Sequence, residues 1–213
     1  MKKVSLGLLV SLCAVVLSSG CVVGQKYNYS AVVADIGPTG TKTIGVATHD
    51  QRPDVVIGEK TPDVVGTLRG GFGNPWYVTT ESGRPLADDM TEAIAATLTK
   101  NNFKVFTVTV SHKDKPQDVL EKLKATNGDN LILLTLNEWK SDAYMNATLY
   151  YNAIFKVFDR NGNLVAETAK KGQEELGGSM NTAAHTKKAV PAAFKKIIEE
   201  LFNNTNVVEA LKQ

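Results

Sequence analysis

Residues 103–139, FKVFTVTVSHKDKPQDVLEKLKATNGDNLILLTLNEW, decide the fold. Phe103–Val110 alternates and is rich in β-branched residues, the pattern of a strand with one buried face. Asp114 and Gln117 are spaced as a capping box, and Pro116 suits a first helical turn. Val119, Leu120 and Leu123 then recur at helical spacing, and Gly128 stands where a helix would be closed. Leu131–Trp139 opens with a run that is apolar on both faces, as a central strand is. A strand, a helix and a second strand in so short a span predict a right-handed crossover joining two parallel strands.

Downstream, Thr148–Phe158 reads as another strand. Asp159-Arg160-Asn161-Gly162 is a hairpin signal, and Leu164 to about Lys171 returns from it. Residues 182–202 form a long amphipathic helix lined by Val190, Phe194, Ile197, Ile198 and Leu201, which Pro191 is expected to kink or split. Upstream, a helix opens at Pro85. Asp88 and Asp89 suit the positive end of its dipole, and Leu86, Met90, Ile94, Thr97 and Leu98 form its apolar stripe. Thr43–His49 and Val32–Ile36 are strand candidates. Between them and that helix, residues 50–84 are studded with glycine and proline, either a long functional connection or a β-hairpin packed on the sheet edge. The element order β-β-α-β-α-β-β-β-α predicts an α+β domain, a mixed β-sheet with helices packed on one face.

The N-terminus reads MKKVSLGLLVSLCAVVLSSGC. Lys2 and Lys3 precede an apolar run, Leu6–Leu17, that is too short for a stable bilayer span. Small residues follow, and the whole is a secretory signal peptide over residues 1–20. Leu17-Ser18-Ser19-Gly20-Cys21 resembles the lipobox of bacterial lipoproteins, with Ser18 where leucine is usual. Cys21 is therefore expected to carry lipid, and residues 21–30 to form a tether ahead of a single domain over 31–213. Cleavage after Gly20 without lipidation is the alternative. By the same resemblance, Val22 in place of aspartate implies export to the outer membrane, with the domain facing the periplasm.

The 213 residues include 24 Lys and Arg against 22 Asp and Glu, with 43% hydrophobic residues. That balance, a formal charge of +2, is too small to drive binding to a nucleic acid. With Cys13 lost alongside the signal peptide, Cys21 is the sole remaining cysteine, so no internal disulfide is expected.

Motifs for catalysis are missing: there is no H-E-x-x-H, G-x-S-x-G, Walker loop or C-x-x-C. His49, His112 and His185 fall in separate elements, so neither a metal site nor a cofactor is expected. Gly70-Gly71-Phe72-Gly73 lacks the Gly-Lys-Ser/Thr of a phosphate loop. Glu138 and Asp142 read as solvated charges rather than an acid–base pair. One group stands out. Arg69, Phe72, Trp76, Tyr77 and Arg84 lie among the glycines and prolines, and Trp, Tyr and Arg are the residues enriched at binding hot spots. They form a candidate partner surface, unless Phe72 and Trp76 turn inward as core.

The chain also resembles the YajG-type lipoproteins of proteobacteria. The likeness rests on the lipobox, Ile44-Gly45-Val46 leading to Asp50-Gln51-Arg52, Ser82-Gly83-Arg84-Pro85-Leu86-Ala87-Asp88, Asn102-Phe103-Lys104-Val105, and the final strands and helix. It implies a periplasm-facing domain and supplies no catalytic residues. The expected function is therefore a non-enzymatic, membrane-anchored accessory or scaffold protein. Its partners would be the lipid bilayer, through acylated Cys21, and another envelope protein. A module binding peptidoglycan fragments or glycans is the alternative.

Overall fold

The computed structural model describes residues 24–212. The signal peptide and Cys21 lie outside that range. The elements in chain order are β1 (Lys26–Tyr27), β2 (Thr43–Asp50), α1 (Pro53–Val56), β3 (Val64–Arg69), β4 (Pro75–Thr80), α2 (Leu86–Lys100), β5 (Lys104–Thr107), α3 (Pro116–Lys124), β6 (Asn130–Ala143), β7 (Asn146–Asp159), β8 (Leu164–Gly178), α4 (Thr182–Phe202) and α5 (Thr205–Lys212). The eight strands form one mixed sheet. As the sequence predicts, β5 and β6 run parallel to each other; β2 lies between them and pairs with both. No helix among the described residues is long and apolar enough to cross a membrane.

Strand β6 is the spine. Along one side it pairs antiparallel with β7 over its whole length, and β7 pairs with β8. Its other side is shared by two strands placed end to end. Residues 130–136 pair with β2 and residues 141–143 with β3. The join falls at a bulge between Leu136 and Glu138. An extra residue there inverts the alternation. Ile132, Leu134 and Leu136 face the main core before the bulge; Trp139 and Ala143 face it afterwards.

That core lies between the sheet and α2, α4 and α5, and includes Met90, Ile94, Phe194, Ile198, Phe202 and Leu211. Helix α3 departs from the expected one-sided arrangement. It lies on the opposite face, where Val119 and Leu123 cover Ala47, Leu131, Leu133 and Phe158. The apolar run at Leu131–Leu134 needs both covers. Helix α4 runs unbroken through Pro191, so the proline does not split it.

Three further corrections concern the N-terminal half. Residues 25–30 are not a free tether, since Tyr27 and Tyr29 are fully buried and β1 pairs with β4. Val32–Ile36 is not a strand. Its alternation is real, with Ala34 and Ile36 inward, but two of its amides are satisfied by helix side chains. Ala34 N donates to Thr97 Oγ1 and Asp35 N to Glu199 Oε1. Segment 50–84 holds α1 and the β3–β4 hairpin, so the edge-hairpin reading describes it.

Gly66 sits at the closest approach of β3 to β6. A Cβ added there would collide with Ser141 Oγ and lie 2.7 Å from the Ser141 carbonyl oxygen. Backbone cannot swing aside as a side chain can. Gly66→Ala is therefore expected to lower stability by about 1–3 kcal/mol, the usual cost of overpacking, read as a lower urea midpoint.

Candidate binding surfaces

Beyond α3, the outer face of the sheet is open to solvent around β3, β4 and the second half of β6. Past the bulge, Glu138, Lys140 and Asp142 point to this face while Trp139 is buried. Arg69, at the end of β3, donates to both carboxylate oxygens of Asp142 at 2.9 and 3.1 Å. Tyr77 on β4 is 58% exposed, and the Lys60 ammonium lies 5.9 Å from its ring centroid. Lys140 lies 5.2 Å from the ring of Tyr150. Glu138 pairs with Lys140 at 3.3 Å. Glu138 and Asp142 thus sit in separate ion pairs, as solvated charges do.

The five residues singled out in the sequence do not form one cluster. Arg69 and Tyr77 share the outer face. Trp76 falls on the other face beside Val78 and is 41% exposed. Phe72 stands at the hairpin tip, 98% exposed, so neither it nor Trp76 is core. Arg84 lies beyond the far end of β4, which at about 3.3 Å per residue is some 20 Å from the tip. There it is a structural residue. It donates to Asp89 at 2.8 Å and to Glu92, bracing the first turns of α2. Ser82 Oγ also donates to Asp89 at 2.8 Å. Burial pushes the Asp89 carboxyl up, against the lowering effects of Ser82 and Arg84.

A cleft of about 400 Å³ adjoins the outer face, lined by Pro53, Asp54, Glu138, Lys140, Asn152 and Lys171. A larger one, about 910 Å³, lies between the β3–β4 tip, the β6–β7 tip and the start of α4. Tyr144, Met145 and Met180 border it, and neither methionine stands out in the sequence. The available signal was a methionine followed by asparagine in each of their loops.

The histidines remain apart. His185 Nε2 lies 2.7 Å from the Leu176 carbonyl oxygen, tying α4 to β8. His49 is buried at the end of β2, and its Nε2 faces the Gln51 Nε2 amide at 2.9 Å. The same amide nitrogen donates to the carbonyl oxygens of Asp50 and His112, both at 3.0 Å. Burial holds the His49 pKa below the usual histidine value of 6.5. A group that binds its proton less readily when folded supports stability above its unfolded pKa and withdraws that support as pH falls. The urea midpoint should therefore drop on acidification below about pH 6.5, and His49→Gln should flatten that part of the profile. Among the described residues, no cluster of three or more His, Cys, Asp or Glu could hold a metal ion.

No protein-family model matches the chain, and no curated protein matches it. Solved structures do. A Xanthomonas campestris protein of family DUF330 is 13% identical, with 85% of this chain and 94% of that chain covered and a TM-score of 0.53. The PelC dodecamer of Paraburkholderia phytofirmans is 14% identical, with 81% and 96% covered and a TM-score of 0.45. The C-terminal domain of LpoB from Salmonella enterica is 11% identical, with 66% and 88% covered and a TM-score of 0.34. At 13% identity the likeness to the Xanthomonas protein concerns the fold alone.

Proposed function

We propose that this chain is a non-enzymatic lipoprotein of the YajG type, anchored in the outer membrane through acylated Cys21, and that its periplasmic domain binds another envelope protein as an accessory or scaffold. One observation carries the partner-binding part. Arg69 and Tyr77 stand exposed on the same open sheet face, with the ion-paired Lys140 beside them. Aromatic and arginine side chains on a firm strand are the usual anchors of a protein interface. The N-terminal sequence carries the anchoring part, and the missing catalytic motifs favour a binding role.

In-cell photo-crosslinking from position 77, on the full-length protein, tests this reading. A discrete protein adduct is the expected result. Lipid adducts only, self-adducts only, or none would overturn the site. The surface is separable from the fold. The Arg69–Asp142 pair is about two-fifths exposed on each side, and such pairs contribute about 0–1 kcal/mol. Arg69→Ala combined with Tyr77→Ala is expected to abolish capture of the partner while moving stability by no more than about 1 kcal/mol, measured by urea unfolding.

A further inference from the structure

Three loops meet at one end of the sheet. They are the β3–β4 tip (residues 70–74), the β6–β7 tip (144–145) and the β8–α4 connection (179–181). The pairings require this: β3 and β6 run parallel and end together, and Asn146 of β7 pairs with Gly178 of β8. None of these loop residues is charged. Each loop holds a large apolar side chain out in solvent: Phe72 at 98% exposed, Met145 at 72% and Met180 fully. Tyr144, half-exposed, donates its hydroxyl to the Gly71 carbonyl at 3.3 Å and ties two of the tips together.

The chain enters the domain at this same end. β1 runs parallel to β4 with Lys26 beside Thr79, and Thr79 N donates to the Gln25 carbonyl. The Gln25 side chain donates to the carbonyl of Ala183, in the first turn of α4, at 3.0 Å. Gln25 is therefore level with Val78, about four strand residues or 13 Å below the hairpin tip. Cys21 is four residues before Gln25, and four extended residues span at most about 14 Å. A fully extended chain upstream of Gln25 is therefore long enough for an anchor at Cys21 to reach the height of the loop tips.

From this we infer that the three-loop end is a membrane-facing apex, and that Phe72, Met145 and Met180 enter the boundary between head groups and acyl chains beside the anchored cysteine. The inference deepens the proposed function and rests on its reading of Cys21. Lipid suits this end better than a protein partner does. The apolar groups stand on separate projecting tips around an open cleft rather than forming one continuous patch. A fluid apolar phase can surround each of them, as it does the apolar face of an interfacial helix. The anchor holds them against that phase at no further cost of encounter. Because the tips are uncharged, their insertion depends on apolar burial and not on anionic head groups.

The test uses the full-length acylated protein in phosphatidylethanolamine–phosphatidylglycerol vesicles containing brominated acyl chains. An environment-sensitive fluorophore is placed at Phe72→Cys, at Met180→Cys, or at Asn161→Cys in the β7–β8 turn at the opposite end. Quenching at 72 and 180 is expected to exceed that at 161 by at least about threefold, since interfacial groups lie only about 5–10 Å deep. It is expected to persist in high salt and without phosphatidylglycerol. Equal quenching at all three positions, or loss of the difference in high salt, would overturn the inference. Protein carrying no acyl mass and failing to float with the vesicles would remove the anchoring reading, and this one with it. Acylated, floated protein with unquenched tips would remove this one alone.

Discussion

Arg52→Met is expected to lower the stability of the domain by about 3–5 kcal/mol, the scale for removing one partner of a buried ion pair. The reason lies at the join of β2 and β3 along β6. β2 leaves the spine with Gln51 N donating to the Leu136 carbonyl, and β3 takes over at Ser141. In the gap, backbone carbonyls have no strand to pair with. The Arg52 guanidinium fills the place of that missing strand. It donates to the carbonyls of Val64 at 2.6 Å, Pro62 at 3.0 Å and Trp139 at 3.3 Å. Its remaining N–H groups meet the carboxylate of Asp50 in a fork, at 2.7 and 2.9 Å. Both side chains are at least 96% buried. Methionine keeps much of the volume but leaves Asp50 unpaired and three carbonyls unsatisfied, and orphaned buried polar groups account for the loss. Asp50→Asn should cost less, since the amide oxygen still accepts from Arg52. Urea unfolding of both variants measures the difference; equal midpoints for wild type and Arg52→Met would refute the assignment.

Trp139→Ala is expected to cost about 3–5 kcal/mol, the range for emptying a buried aromatic site. Trp139 is the first core residue after the β6 bulge and is 2% exposed. Phe194 of α4 meets it edge-on at 5.6 Å between centroids, and Tyr29 lies at 6.2 Å. Its indole N–H donates to the Tyr29 hydroxyl at 3.0 Å. The alanine variant therefore opens a cavity and removes the hydroxyl's donor together. Trp139→Phe, which loses only the hydrogen bond and part of the volume, should recover more than half of the stability in the same measurement.

Where periodicity and burial coincide, the elements were legible. α2 and α4 place apolar residues against the main core at helical spacing, and β6 and β7 show strand patterns, β6 apolar on both faces because both are covered. Where the backbone is served by something other than its own kind of element, the pattern misled. Val32–Ile36 alternates like a strand but pairs with the side chains of Thr97 and Glu199. Lys26–Tyr27 is a strand too short to show any period. Gly66 and Pro75, which the close packing and edge position of the β3–β4 hairpin demand, left that hairpin as only one of two readings. For the candidate surfaces, the composition of residues 69–84 singled out the β3–β4 hairpin. It did not separate two faces and a tip, because the faces depend on pairing register. Nor did it mark Arg84 as a helix brace, or set Phe72 apart from Tyr77. Met145 and Met180 become neighbours of that hairpin only through the pairing of β6, β7 and β8.

The short strand β1 also determines how the domain would carry load. A pull on the chain upstream of Gln25, directed toward the loop tips, acts along the strand axis. The bonds from Thr79 N to Gln25 O and from Glu81 N to Tyr27 O are then strained together in shear, instead of being opened one after another as in a zipper. Just behind them, Tyr27 and Tyr29 are bolted into the aromatic core by their burial and by hydroxyl contacts to Ser141 and Trp139. Detachment under tension must then drag two buried rings out of the core, an event whose rate follows the barrier to unfolding rather than the equilibrium stability. Two paired residues thus give the domain a mechanically firm handle at the end where the tether begins.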